Sequence, residues 1–247
     1  MKKLFYGLVG AAMLSSYSAH SLATPVDLGL SLVIDVSGSV STSEYNLQMD
    51  GYANAFRDAG IQSNILGGTN GAIGVNVVFF DSNFYTTSLS TYSILNSAAS
   101  INTFANALDT FVRPGSGGTS IYTGTNEAVR LMLAAVANDT IETTNLVIDV
   151  SGDGTSNASL DQAARNNAFA NNITINGLPI GSSTITNYYT NNVITSDGFA
   201  INASTFNDFS GAVRTKLNVE TGGQVPEPGT LMLLGLGLTG LAFARKK

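Results

Sequence analysis

The chain has no cysteine and no tryptophan, and its one histidine is His20. Without cysteine no disulfide can form, so the fold must rest on its core. Positive charge is scarce as well. Between Thr24 and Gln224, 16 acidic residues face only six basic ones: Arg57, Arg113, Arg130, Arg165, Arg214 and Lys216. Nucleic acid is thereby set aside as a partner, because phosphate neutralisation needs clustered Lys and Arg. What the chain does have is 44% hydrophobic residues over a length of 247, enough for one domain with a sizeable core plus appendages.

The appendages are legible. Residues 1–23 carry Lys2 and Lys3, then an apolar run from Leu4 to Leu14, then a small-residue end at Ser21, Leu22 and Ala23, the pattern of a secretory signal peptide. Residues 24–222 remain as the domain. In residues 223–247, Pro226, Glu227 and Pro228 precede a short apolar segment at 231–244, closed by Arg245, Lys246 and Lys247. That segment falls short of the roughly 20 residues a perpendicular transmembrane helix needs, so it is marginal as a permanent anchor. Motif, short apolar helix and basic cluster, in that order, resemble the PEP-CTERM sorting tail of Gram-negative bacteria. The resemblance implies recognition by an exosortase, removal of the tail, and delivery to the cell surface or an exopolysaccharide matrix. It also implies transient membrane association through the tail, with the basic end on the cytoplasmic side.

Export removes His20 with the signal and leaves a mature protein without imidazole or thiol. That excludes Ser-His-Asp and Cys-His nucleophiles and the His and Cys ligand sets of softer metals. Carboxylate, hydroxyl and amide oxygens remain, the ligands of hard cations such as Mg²⁺ and Ca²⁺.

Hydrophobic periodicity predicts buried strands at residues 28–36, 72–80 and 145–150, with shorter extended pieces at 84–87, 173–178 and 199–202. Helices are expected at 44–59, stopped by Gly60, and at 93–111, 122–137, 160–170 and 206–217. Residues 113–119, RPGSGGT, read as a loop. Strands alternating with helices indicate a single α/β domain with a mostly parallel central sheet and helices on both faces. The heptapeptide LVIDVSG occurs twice, from Leu32 and from Leu146. The residues after each copy share little, so the repeat marks two buried strands of one domain, not a duplication. Both strands end at the carboxyl edge of the sheet, where sites form in such folds.

The first copy continues as Asp35, Val36, Ser37, Gly38 and Ser39, a D-x-S-x-S turn that aims one carboxylate and two hydroxyls at one point. Here the chain resembles the von Willebrand factor A (VWA) superfamily and its metal-ion-dependent adhesion site. That site also needs a threonine from a second loop and an aspartate from a third, and Thr119 and Asp153 stand in the matching places. Residues 175–180, the pair Tyr188 and Tyr189, and Phe206 to Phe209 further resemble a bacterial branch of the superfamily without an assigned activity. The resemblance implies a Rossmann-like VWA fold. It also implies Mg²⁺, or Mn²⁺ or Ca²⁺, bound directly by Ser37 and Ser39 and directly or through water by Thr119. Asp35 and Asp153 would act mainly through water or hydrogen bonds. Gly152 departs from the superfamily pattern, which often has threonine before the third-loop aspartate.

Other readings stand beside this one. Ser37, Ser39 and Thr119 can each serve as helix caps. Asp149 repeats the context of Asp35 but lies inside its strand, where a carboxylate is costly unless paired, so it is given a supporting role at best. Asp81 ends the strand that closes with Val77, Val78, Phe79 and Phe80 and could lie on the same sheet edge, but it is read as a solvated loop residue. The G-x-G-x-x-G at Gly235, Gly237 and Gly240 lies in the sorting tail with no strand before it and carries no dinucleotide site. The expected function is an exported surface or matrix protein that grips an acidic oxygen of a protein or polysaccharide ligand through the cation. The alternative is a structural matrix protein in which the metal only stiffens the domain. No enzyme is expected, since no general base can be identified.

Overall fold

The structure, a computed structural model, describes residues 23–222. The expected signal segment up to residue 22 and the sorting tail from residue 223 lie outside the described residues. In chain order the strands are β1 (Thr24–Pro25), β2 (Leu28–Asp35), β3 (Ile73–Phe80), β4 (Phe84–Tyr85), β5 (Ser93–Leu95), β6 (Ile141–Glu142), β7 (Leu146–Gly152) and β8 (Ile173–Pro179). The helices are α1 (Thr42–Arg57), α2 (Ala59–Gly67), α3 (Ala98–Asp109), α4 (Ile121–Ala137), α5 (Ala158–Ala170), α6 (Ser183–Asn192) and α7 (Phe209–Glu220).

The main sheet runs β4-β3-β2-β7-β8, with β5 pairing the other end of β3. The β3-β2-β7-β8 ladder is parallel, and β4 and β5 add antiparallel pieces at its edge. Every residue of β2, β3 and β7 is buried, as continuous apolar runs in a parallel sheet require. One core layer joins the sheet to α1, α2, α3 and α7, and the other joins it to α4, α5 and α6. Among the described residues no helix is long and apolar enough to cross a membrane.

The two copies of LVIDVSG are neighbours, β2 beside β7, but they are not level. Asp149 stands opposite Leu32, and Ser151 opposite Ile34. An odd offset between identical sequences sends equivalent side chains to opposite faces of the sheet. Asp35 therefore turns toward α6, and Asp149 toward α7.

Three local expectations need correction. Gly60 does not end helical structure: the Asp58 side chain accepts from the backbone N–H groups of Gly60 and Ile61 and starts α2. The helix expected over 93–111 begins only at Ala98. Ser93–Leu95 is instead a strand covering the edge of β3, and Ser97 then caps α3. Residues 199–202 form no regular strand, only a bridge from Ala200 to Gly177, because the Asn176 side chain takes the Phe199 N–H. Helix α6, unforeseen from the sequence, covers the carboxyl end of β8.

Phe209 shows what holds the α1/α7 layer. It is wholly buried, and its ring meets Tyr52 edge-on at 5.2 Å. Gly51 admits this approach, since a Cβ there would lie 2.7 Å from Phe209 Cδ1. Phe209→Ala is expected to lower unfolding free energy by about 3–5 kcal/mol, measured by urea denaturation. A loss below about 1 kcal/mol would show that this layer collapses around the cavity.

Candidate metal centre

At the carboxyl edge of the sheet three loops meet, one after β2, one before α4 and one after β7. Asp35 is fully buried, and its Oδ1 accepts the Ser37 backbone N–H at 2.7 Å, closing the turn that projects Ser37 and Ser39. The two serine hydroxyls lie 3.2 Å apart, and Ser39 Oγ donates to Asp153 Oδ1 at 2.7 Å. The first and second loops are joined by the Gly38 N–H donating to the Gly117 carbonyl at 2.7 Å. Thr119 stands against the third loop, where a Cβ on Gly154 would lie 3.3 Å from its Oγ1. All five expected residues, Asp35, Ser37, Ser39, Thr119 and Asp153, thus belong to loops that touch one another.

None of the three hydroxyl residues is a helix cap. Ser41 caps α1 in a capping box with Glu44, and Ser120 occupies the N-cap position of α4. The serines and threonine are therefore not consumed by helix starts. Asp35 Oδ2 is the decisive atom, because it is buried and accepts no hydrogen bond among the described residues. A buried carboxylate oxygen left in this way is costly unless a proton or a cation compensates it. Burial pushes the Asp35 carboxyl up to about 7, reinforced by Asp153 and opposed by the Ser37 hydrogen bonds and the Arg113 charge. Two carboxylates and three hydroxyls suit a hard divalent cation. Among the described residues no three His, Cys, Asp or Glu side chains gather to hold a metal, so any cation here relies on hydroxyl oxygens.

Several residues that build this edge escaped the sequence reading. Arg113 donates to the carbonyls of Val36 and Ser37, both at 2.7 Å, and so clamps the serine turn. Gln48, buried in α1, donates to the Asp35 carbonyl at 3.3 Å. Asp81 is not solvated, as expected from the sequence, but 3% exposed. It accepts from Tyr85 Oη and from the Gly117 N–H, each at 2.7 Å, and pins the threonine loop to the end of β3. Burial raises its pKa, but these hydrogen bonds and those from the Asn83 and Ser82 N–H groups outweigh it and hold the carboxyl low. Tyr189 of α6 is fully buried with an unpaired hydroxyl. It stands behind Asp35: a Cβ on Gly152 would lie 2.6 Å from Asp35 Oδ2 and 2.7 Å from the Tyr189 hydroxyl. Asp149 takes no part here, and its carboxylate instead faces Lys216 on the other side of the sheet.

Residues 25–225 match the family described as protein of unknown function, DUF1194. The chain belongs to that family. Its C-terminal residues 224–247 match the PEP-CTERM protein-sorting motif, which marks the DUF1194 protein for exosortase-mediated sorting and export. No curated protein matches the chain. Among solved structures it is similar to proximal thread matrix protein 1 (PTMP1) from the mussel byssus, with 18% identity and a TM-score of 0.59 over 81% of this chain and 48% of that one. The same byssus protein described with a zinc-occupied MIDAS motif matches at 17% identity and a TM-score of 0.59, over 81% and 50%. A von Willebrand factor type A protein from Catenulispora acidiphila matches at 14% and 0.57, over 80% and 43%. BatB from Bacteroides thetaiotaomicron matches at 13% and 0.53, over 78% and 98%. The DUF1194 chain spans about half the length of the byssus structures. At these identities the likeness establishes a VWA-like fold and nothing finer.

Proposed function

We propose that the DUF1194 domain is an exported surface or matrix binding module that holds a divalent cation at Asp35, Ser37, Ser39, Thr119 and Asp153. Through that cation it grips an acidic oxygen of a protein or polysaccharide. The observation that carries this reading is the buried, unpaired Asp35 Oδ2 behind two serine hydroxyls 3.2 Å apart, with Asp153 hydrogen-bonded to one of them. Ser37 and Ser39 would bind the ion directly. Asp35 and Asp153 would fix its position and balance part of its charge from behind. Neutral hydroxyls leave the cation with unspent charge, so an anionic group from outside is its natural further ligand. The zinc in the byssus protein's motif supports a divalent ion in this place, with Mg²⁺ the expected occupant and Mn²⁺ or Ca²⁺ as substitutes. Binding without turnover fits a centre whose neighbourhood holds no imidazole or thiol.

Calorimetric titration with Mg²⁺, Mn²⁺ and Ca²⁺ tests the centre. The Ser37→Ala/Ser39→Ala variant is expected to lose at least about 100-fold in affinity, since two first ligands vanish together. Equal binding by variant and wild type would remove the assignment. Retention on acidic polysaccharide or surface protein should then vanish with EDTA. If EDTA lowered only the melting temperature and left retention intact, the cation would be a structural brace.

A further inference from the structure

On the face of the sheet opposite the metal centre, β7 and α7 enclose three ionisable side chains that the binding function does not use. The side chains of Lys216 and Asp149 are wholly shielded from solvent, and that of Glu220 is 1% exposed. Lys216 Nζ lies 2.8 Å from Asp149 Oδ1 and is also in contact with Glu220 Oε1. Asn176 Nδ2 donates to that same Oε1 at 2.7 Å, and the Phe199 ring faces Nζ with its centroid at 5.6 Å. Neither Asp149 oxygen has a well-aligned hydrogen-bond donor among the described residues, although the Lys216 nitrogen stands within hydrogen-bonding distance of Oδ1 and its charge and hydrogen bond pull the Asp149 carboxyl down. Buried ion pairs persist when good hydrogen-bond geometry repays desolvation, and here that repayment is only partial.

The charge count points the same way. One lysine faces two carboxylates, so full ionisation would leave a net negative charge in a dry interior. Burial, partly offset by Lys216 and reinforced by Asp149, pushes the Glu220 carboxyl up to about 7. Burial also raises the Asp149 carboxyl against the pull of Lys216. Glu220 is therefore placed both to take a proton from Lys216 and to give one back near neutral pH.

We propose that Lys216 and Asp149 are joined, once the domain has folded, by an intramolecular amide bond between Nζ and Cγ, with Glu220 carrying the protons. In the first step Glu220 takes a proton from the Lys216 ammonium. The freed amine lone pair then forms the Nζ–Cγ bond to the neutral Asp149 carboxylic acid. The tetrahedral centre loses one C–O bond, its hydroxyl taking a proton from Glu220 and leaving as water. The second Nζ proton lost in amide formation goes to Glu220, which begins as a carboxylate and ends as a carboxylic acid. An ammonium, a carboxylic acid and the Glu220 carboxylate thus become one amide, one water and a neutral Glu220, with no redox change. Holding the two groups in contact supplies the large effective concentration that oriented intramolecular reactions enjoy. Exclusion of bulk water opposes the reverse hydrolysis.

The bond would supply what the sequence lacks, a covalent cross-link in an exported chain without cysteine. It ties the centre of the sheet to α7, the last helix among the described residues, shortly before the sorting segment. Force entering through that segment would meet a covalent link and not only the packing of α7.

The test is the mass of the full chain, purified natively and then denatured, followed by peptide fragmentation. The expected result is a protein lighter by one water, with the Lys216 peptide found covalently joined to the Asp149 peptide. Recovery of the two peptides separately, at the masses their sequences require, would overturn the proposal and leave an ion triad. Glu220→Gln and Lys216→Met are each expected to retain the water. Loss of water persisting in Lys216→Met would place the dehydration elsewhere and equally overturn it. The wild-type peptide map decides the matter even if neither variant folds.

Discussion

Gly152→Thr, which brings the chain closer to the common VWA pattern, is expected to weaken cation binding by about 10–100-fold, the range typical when the support behind a metal ligand is disturbed. A Cβ at this position would lie 2.6 Å from Asp35 Oδ2, 2.8 Å from Asp35 Cβ and 2.7 Å from the Tyr189 hydroxyl. No side chain fits there unless Asp35 or Tyr189 moves. Tyr189 enters from α6 and is wholly buried, so its ring cannot swing away cheaply. Asp35, at the end of β2, must yield, and with it the Ser37 N–H bond that shapes the serine turn. Overpacking of this kind also costs about 1–3 kcal/mol of stability. Calorimetric titration and thermal melts of the variant measure both effects. Tyr189→Phe removes the hydroxyl and makes room, so Gly152→Ser combined with Tyr189→Phe should bind the cation more tightly than Gly152→Ser alone. Wild-type affinity in Gly152→Thr would mean that the position of Asp35 is not set by this packing.

The same pair of residues marks where the sequence stopped being informative. The strands and the D-x-S-x-S turn were legible because apolar runs and a carboxylate-hydroxyl cluster are local patterns. Thr119 and Asp153 could be placed because they follow predicted elements. Tyr189 could not, since it reaches Asp35 only through the packing of α6, a helix whose polar, Asn- and Thr-rich stretch gives little periodic signal. Asp81 misled for a related reason: its partners come from two separate places, Tyr85 in β4 and Gly117 in the loop before α4. Asp149 was given a supporting role at best, and the structure pairs it with Lys216, 67 positions along the chain. The reason lies in the register, which no reading of the heptapeptide alone contains. A three-residue offset between β2 and β7 puts the same letters on opposite faces.

Divalent-cation affinity should rise by about tenfold for each pH unit up to near pH 7 and level off above it, because the ion must displace the Asp35 proton. Burial pushes that carboxyl up to about 7 from its ordinary 3.8. Between about pH 4 and pH 7 the metal-free folded protein therefore keeps a proton that the unfolded chain has released. With more protons bound in the folded state, Asp35 makes stability fall as pH rises through this window and contributes no further slope above it. Asp149 and Glu220, where ionisable, act in the same direction, so the slope of the metal-free protein alone does not single out Asp35. Cation binding would, since among the described residues Asp35 and Asp153 are the carboxylates of the proposed centre. Above about pH 7 the ion meets a ready carboxylate and stabilises the domain by its full binding energy, whereas below that pH part of the energy goes to deprotonation. EDTA should accordingly lower the melting temperature more at about pH 8 than at about pH 6. Titrations in buffers of different ionisation enthalpy should report about one proton released per ion at the lower pH and close to none at the higher. In Asp35→Asn the affinity is weaker and its pH slope is expected to flatten, since the titrating group is gone. A wild-type affinity constant across this range would mean that Asp35 is already ionised in the metal-free protein. Its Oδ2 would then have to be satisfied by something other than a proton, and the reason for a cation at this edge of the sheet would lie with the hydroxyls of Ser37, Ser39 and Thr119 alone.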